Sequence, residues 1–281
     1  MGALTSIIIL TRNGLKHTRA CVESVQKYTS LPYEFIFVDN GSTDGTLAYL
    51  STVRNATVLA NSVNKGFAGG CNQGIRAAKG DYLLLLNNDV VVTENWLEGL
   101  RGWLDWDRTI GIVGPVSCNV APIQRIQPDP YQTMDEMQQF ARKWREQNIG
   151  MGFYPHRLIG FCMLFHKKLI ETIGGLDERF YPGGYEDDDF CLRARLSGKI
   201  LWAACDVYVH HHGHATFTAN GLAWNEQGLY NAEIFRNKWN LEVSAVELEK
   251  TGYNPSLIVE KVKTFCPEKH FVPLGEEDGL A

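Results

Sequence analysis

Apolar positions in the first 117 residues fall into short, nearly continuous runs separated by longer stretches of helical periodicity. Five runs, at 6–10, 33–38, 57–60, 82–86 and 110–113, have strand length and are β-branched or leucine-rich, as strands covered on both faces should be. Between the first two, Thr18, Cys21, Val22, Val25 and Tyr28 recur at the spacing of one helix face. Ser42, Thr43 and Asp44 offer caps to the next helix, and Thr93 can cap another starting at Glu94. Strand and helix in alternation is the sequence form of βαβ units. The expected fold is therefore α/β, with a Rossmann-like, mostly parallel central sheet flanked by helices.

The pattern breaks at 119–155, where Pro122, Pro128 and Pro130 lead into a Gln-rich stretch at 138–147 with weak amphipathic spacing, read here as an insertion. Regular patterning returns with a strand at 161–165, a helix at 186–197, strands at 200–203 and 207–211, and a last helix at 224–239. The chain reads as one domain over 1–240, made of a first half at 1–117, the insertion, and a second half at 156–240. An extension at 241–281 follows, its tail from Cys266 expected on the surface.

Composition narrows the partners. A formal charge of -5 leaves no surplus of Lys and Arg to neutralise a run of phosphates, so nucleic acid is not an expected partner. The seven cysteines are scattered, without a C-x-x-C pair, and read as reduced core thiols. No apolar run is long enough to span a membrane, and the N-terminus lacks the basic flank and apolar stretch of a signal peptide. The expected location is the cytoplasm, at most peripheral at the inner face of a membrane.

Ligands of an open parallel sheet bind beyond the carboxyl ends of its strands. Four of the predicted ends carry polar clusters: Thr11-Arg12-Asn13-Gly14, Asp39-Asn40-Gly41-Ser42, Asn64-Lys65-Gly66 and Asn87-Asn88-Asp89. Any one of them suits a turn or cap; four on one sheet edge point to a shared polar ligand. Asp89 stands at the mouth of the Leu83-Leu84-Leu85-Leu86 strand, where a hard cation, Mg2+ or Mn2+, could sit with substrate phosphates completing its shell. Glu186-Asp187-Asp188-Asp189 opens a helix after Pro182-Gly183-Gly184-Tyr185, either as an acidic helix start or as the source of a general base. Asp189 can pair with Arg193 one turn later. In His210-His211-His212-Gly213-His214, strand alternation allows one or two imidazoles at most to reach a metal.

Taken in order, these segments resemble family 2 of the inverting glycosyltransferases, which have the A-type nucleotide-sugar-binding fold. The matching pieces are Thr11-Arg12-Asn13, the run from Val38 to Gly45, the run from Asn64 to Asn72, Leu86-Asn87-Asn88-Asp89, Gly174-Gly175-Leu176-Asp177-Glu178 and Glu186-Asp187-Asp188-Asp189. Each is loose alone; the ordered set, over roughly residues 4 to 217, is specific. The stretch from His211 to Phe217 and Asn237-Lys238-Trp239 is similar to a bacterial subgroup of polysaccharide-building and rhamnosyl-type enzymes.

The resemblance implies a role for each matched position. Thr11, Arg12 and Asp39 would hold the base, and Asn13 would be among the other nucleotide-binding residues. Asn64, Gly66 and Asn72 would shape the nucleotide pocket, and Asn87 and Asn88 would approach the ribose. Asp89 would bind Mn2+ or Mg2+, with His211 as a second ligand, and Asp187 would be the catalytic base, with Glu186 beside it. The first half would then bind the nucleotide and the second half the acceptor. The donor would be a UDP- or dTDP-sugar, and the acceptor a hydroxyl on a glycan, a lipid-linked saccharide or a protein. Two positions depart from the family pattern: its Asp-X-Asp motif is Asn87-Asn88-Asp89 here, leaving one strong metal carboxylate, and the aromatic residue often found after the first strand is Arg12.

Other readings fit less well. A nucleotidyltransferase needs a glycine-rich basic loop after the first strand, where only Gly14 stands. A dinucleotide oxidoreductase needs G-x-G-x-x-G there, whereas Gly66, Gly69 and Gly70 follow the third strand at another spacing. A glycosidase could use two of the carboxylates but leaves the nucleotide pocket unexplained. A non-catalytic nucleotide-sugar or carbohydrate-binding module is the main alternative, and donor turnover separates it from an enzyme.

Overall fold

The computed structural model describes residues 3–213, 224–251 and 265–274. Among the described residues there are ten strands: β1 Thr5–Thr11, β2 Tyr33–Asp39, β3 Ala56–Ala60, β4 Tyr82–Asn87, β5 Val90–Val91, β6 Ile110–Val116, β7 Gly152–Phe153, β8 Cys162–His166, β9 Ile200–Tyr208 and β10 His210–His211. The helices are α1 Leu15–Tyr28, α2 Thr46–Leu50, α3 Gly66–Ala77, α4 Trp96–Trp106, α5 Met134–Asn148, α6 Lys167–Ile173, α7 Glu186–Leu196, α8 Trp224–Lys238, α9 Ala245–Thr251 and α10 Pro267–His270.

Eight strands form one sheet in the order β3-β2-β1-β4-β8-β6-β9-β7. The first four pair in parallel, as the βαβ pattern predicts. β8 runs antiparallel between β4 and β6, so the sheet is mixed at its centre. Alternation sorts the apolar side chains of each strand to two faces. Ile7, Ile9, Phe35, Phe37, Leu84 and Leu86 pack with Val22 and Val25 of α1 and Leu97 and Leu100 of α4. Ile8, Ile36, Leu83 and Leu85 face the other way, onto Cys71 and Ile75 of α3 and Phe190 and Ala194 of α7. These side chains are essentially fully buried, each Val, Leu, Ile or Phe among them worth about 1.5–3 kcal/mol relative to exposure, and together they hold the carboxyl ends of β1, β2 and β4 level along one edge.

The stretch read as an irregular insertion contains a 15-residue helix, α5, started by a Thr133–Glu136 capping box. Its weak periodicity has a physical reason. Only Met137, Gln138 and Ala141 are buried, and Gln138 turns inward as a polar anchor, donating to the Val92 carbonyl and accepting from the Glu94 N–H. The strand expected at 200–203 extends to Tyr208, and the residues expected in a second strand at 207–211 are divided between its end and β10.

The segment after Cys266 is not simply a surface extension. Gly175 donates to the Val272 carbonyl at 2.8 Å, and His270 is buried with its ring 5.1 Å from that of Trp239. A Cβ on Gly174 would fall 1.8 Å from the Val272 oxygen, so glycine there, at φ +80°, is what lets the segment dock. All seven cysteines are free thiols, and among the described residues no helix is long and apolar enough to cross a membrane.

Candidate active site

The carboxyl ends of β1 and β4 open into a cleft of about 440 Å³. Thr11, Arg12, Asn40, Asn64, Gly66, Asn87 and Asn88 line it, together with Arg157, Gly160, Tyr185, Glu186, Asp187 and Asp188, and with Asp89 and His211. The polar strand ends and the acidic helix start, far apart in sequence, thus share one cavity.

Short-range chemistry shapes the strand ends. Thr11 donates to Asp39 Oδ1 at 3.0 Å, and the Ser42 N–H to Asp39 Oδ2 at 2.9 Å, so the buried Asp39 ties the loops after β1 and β2 together from behind the cleft wall. Asn13, at φ 57°, reinforces this by receiving from the Thr43 N–H while its own N–H donates to Ser42. Asn40, which the sequence reading did not single out, lines the cleft. Its amide donates to Asn64 Oδ1 and to the Gly66 carbonyl, both at 3.0 Å. Asn72 is not on the cleft wall: it is fully buried and bonds to both the N–H and the carbonyl of Leu176 and to Glu178, which makes it a clamp between α3 and the segment before α7.

Gly66 has φ +74°, and a Cβ there would approach Tyr181 to 2.9 Å and the Pro182 oxygen to 3.2 Å. The Phe67 N–H donates to that same oxygen at 2.8 Å. The start of α3 is thereby seated against the loop that leads into α7.

Asp89 follows β4 in a tight turn, after which β5 pairs antiparallel with β10, Val90 opposite His211. This ribbon, with the His212 N–H donating to the Asp89 carbonyl at 3.0 Å, brings Asp89 Oδ1 within 3.1 Å of His211 Nε2. His211 Nδ1 lies 2.8 Å from the Asn119 carbonyl, an acceptor only, so Nδ1 carries the proton and Nε2 of the neutral ring presents a lone pair to the carboxylate. Two facing acceptors need a cation or a proton between them. Burial lowers the His211 pKa, but the hydrogen bond and charge of Asp89 outweigh it, and the net shift is upward.

The same pair suits a divalent ion. Adjacent ligands of an octahedral cation with bonds of about 2.1 Å lie about 3 Å apart, and a carboxylate oxygen with an imidazole oriented by the Asn119 carbonyl is a suitable donor set. Among the described residues no group of three or more His, Cys, Asp or Glu could hold a metal, so water or the phosphates of a ligand would complete the shell. His210 and His212 contact Cys118, Tyr131 and His17 instead, and His214 lies outside the described residues.

The four carboxylates after Tyr185 have separate surroundings. Asp189 is fully buried and bound to Arg193 at 2.8 Å, the expected i,i+4 pair; Trp239 donates to it at 3.0 Å, and Lys238 lies 2.6 Å away. Asp188 is paired with Arg157 at 2.9 Å; burial nevertheless lifts its pKa to about 7 against the pull of the guanidinium. Glu186 is buried with its carboxyl turned back to the Gly184 N–H, and burial followed by the charge of Asp187 raises its pKa well above the usual range. Asp187 is half-buried at the cleft and receives one N–H on each oxygen, from Gly160 and from Asp188, both at 2.9 Å. Those bonds leave the rest of its acceptor capacity to a ligand.

Fold, strand-end cleft and acidic helix start together define the class: a glycosyltransferase architecture of the A type. The model of the glycosyl transferase family 2 matches residues 6–174, and the chain belongs to that family. Glycosyltransferase AglE of Haloferax volcanii is 31% identical over 214 residues, covering 73% of this chain and 66% of its own. The fold is also that of GalNAc-T7, solved with UDP, GalNAc and Mn2+, at a TM-score of 0.66 and 17% identity over 98% of this chain and 52% of that one. It is likewise that of the mannosyltransferase PcManGT of Pyrobaculum calidifontis, solved with GDP-Man and Mn2+, at a TM-score of 0.60 and 17% identity over 88% of this chain and 67% of that one. The chain spans 29%, 35% and 42% of the lengths of three further curated relatives.

The sequence reading missed Asn40, Arg157, Tyr185 and Glu249 as cleft residues. Asn40 was visible in the strand-end cluster. The other three carry no local signal, because only the tertiary fold turns them toward the cavity.

Proposed function

We propose that the protein is a metal-dependent, inverting glycosyltransferase that moves a sugar from a UDP- or dTDP-sugar to an acceptor hydroxyl in bacterial surface polysaccharide or glycoconjugate synthesis, working in the cytoplasm. The observation that carries this reading is the convergence of the Asp89–His211 pair and Asp187 on one cleft.

A divalent ion held by Asp89 and His211 would offset the charge that develops on the departing diphosphate. Asn40, Asn64, Asn87 and Asn88 give the nucleoside side of the cleft uncharged donors and acceptors, with Thr11 and Arg12 beside them. Asp187 receives the proton of the acceptor hydroxyl as that oxygen bonds to the anomeric carbon and the bond from that carbon to the diphosphate oxygen breaks. Attack from the face opposite the leaving group inverts the configuration. Glu186, whose pKa burial shifts upward, lines the cleft beside Asp187 and can hydrogen-bond an acceptor oxygen and orient it.

Titration calorimetry with UDP, dTDP and GDP, with and without Mn2+, tests the donor side. One nucleoside diphosphate should bind more tightly with the ion, and Asp89→Ala should weaken that binding about tenfold or more and remove its metal dependence. Unchanged affinity and metal dependence in the variant would move the metal site elsewhere.

A further inference from the structure

Two residues near the cleft break local rules, and both adjoin the same carboxylate. Tyr185 has φ 75°, a left-handed conformation that bulky side chains rarely adopt. Its hydroxyl donates to Glu249 Oε2 at 2.9 Å. Gly228 sits inside α8, where glycine is the poorest helix former after proline. A Cβ on Gly228 would lie 2.5 Å from Glu249 Oε1. The half-buried Glu249 of α9 thus reaches the cleft wall through room that a glycine leaves, and is held by a strained tyrosine next to Glu186 and Asp187.

We infer that Glu249 binds the sugar acceptor, its carboxylate accepting hydrogen bonds from the hydroxyls of an uncharged saccharide. This rests on the reading of the chain as a glycosyltransferase. Local conflicts of this kind persist where function compensates for them. Tyr185 uses one lone pair of the Glu249 carboxylate, and a carboxylate has about four. The charge of the wall selects the ligand class. Asp187 and Glu249 present carboxylates there, and the adjacent Arg157 is engaged with Asp188, so an anionic sugar next to Glu249 would meet repulsion and a neutral polyol would not.

The test uses the whole chain with Mn2+ and the preferred donor. It follows nucleoside diphosphate release and product formation against added methyl glycosides of glucose, galactose, mannose and rhamnose, with methyl glucuronide alongside. Neutral glycosides should suppress hydrolysis by water or be glycosylated, and methyl glucuronide should act only at higher concentration. Glu249→Gln keeps the side-chain length and an oxygen for Tyr185. It should raise the half-effect concentration of the neutral glycosides about tenfold or more, the loss of a charge-assisted hydrogen bond, with nucleoside diphosphate affinity unchanged. That unchanged affinity also shows that the variant is folded. Tyr185→Phe, which keeps the carboxylate and loses its tether, should give a smaller shift in the same direction.

The inference is overturned if Glu249→Gln leaves the half-effect concentration unchanged, if no neutral glycoside affects the wild type, or if the glucuronide acts as well as the neutral sugars. A wild type that binds no nucleoside diphosphate and turns over no donor would instead overturn the transferase reading itself.

Discussion

Replacing Asp189 by Asn keeps the shape of the side chain and removes its charge, and the structure sets the size of the consequence. Asp189 and Arg193 are both fully buried and lie 2.8 Å apart. Breaking a buried pair by neutralising one member leaves an uncompensated charge, which costs about 3–5 kcal/mol. Arg193 keeps the Ile173 and Gly175 carbonyls at 2.6 and 2.7 Å, and Lys238 keeps Asp177 at 2.7 Å, so the lower end of that range applies. For a chain of this size about 3 kcal/mol corresponds to a drop of roughly 6–12 °C in Tm. The control is Glu94→Gln, which breaks the Arg142 pair at 3.4 Å; those side chains are about half exposed, and an exposed pair is worth roughly 0–1 kcal/mol. Thermal unfolding followed by circular dichroism measures both. A loss of less than about 2 °C for Asp189→Asn would refute the assignment of Asp189 to the fold rather than to the chemistry.

Two further outcomes follow from the same site. Arg157→Met removes the cation that opposes the upward shift of Asp188, whose pKa is about 7. Because burial raises this acid, its penalty in the wild type builds from the ordinary carboxylate range up to about pH 7 and then levels off, whereas without Arg157 the pKa lies higher still and the penalty keeps growing above pH 7. The Tm gap between wild type and Arg157→Met should therefore widen from pH 5.5 to pH 8.5; a constant gap would mean that Arg157 does not stabilise the ionised Asp188. His211→Ala should weaken the Mn2+ dependence of nucleoside diphosphate binding about as much as Asp89→Ala does, roughly tenfold or more, as calorimetry would show. An unchanged metal dependence would leave His211 as a partner of Asp89 only.

Most of the first half was legible in the sequence because β1, β2, β4 and β6 are largely buried on both faces. An unbroken run such as Leu83 to Leu86 can hardly be anything but a central strand, and the polar residue that ends it lands on the sheet edge. The antiparallel insertion of β8 between β4 and β6 was not legible, since Met163, Leu164 and Phe165 are equally apolar in either direction. Strand alternation left His210 and His212 as well as His211 open as ligands; the pairing of β10 with β5 turns His211 to Asp89. Asn72 has the polarity of a pocket residue, yet its partners, Leu176 and Glu178, lie more than a hundred positions away, beyond any local pattern. Glu249 is hidden for the same reason: a glutamate in a short helix that also carries Glu247 gains meaning only from Tyr185 and Gly228 across the fold.

In the proposed reaction Asp187 takes the acceptor proton while the Asp89–His211 pair serves the diphosphate, and the Asp187→Asn enzyme separates the two roles. Asparagine still accepts on one atom but is not basic, so turnover with a nucleotide-sugar donor should fall about 100-fold or more. Nucleoside diphosphate affinity in the presence of Mn2+ should stay within about twofold of wild type, because the base lies outside the groups assigned to the diphosphate. Near-normal turnover in Asp187→Asn, or a product that retains the anomeric configuration of the donor, would contradict the account.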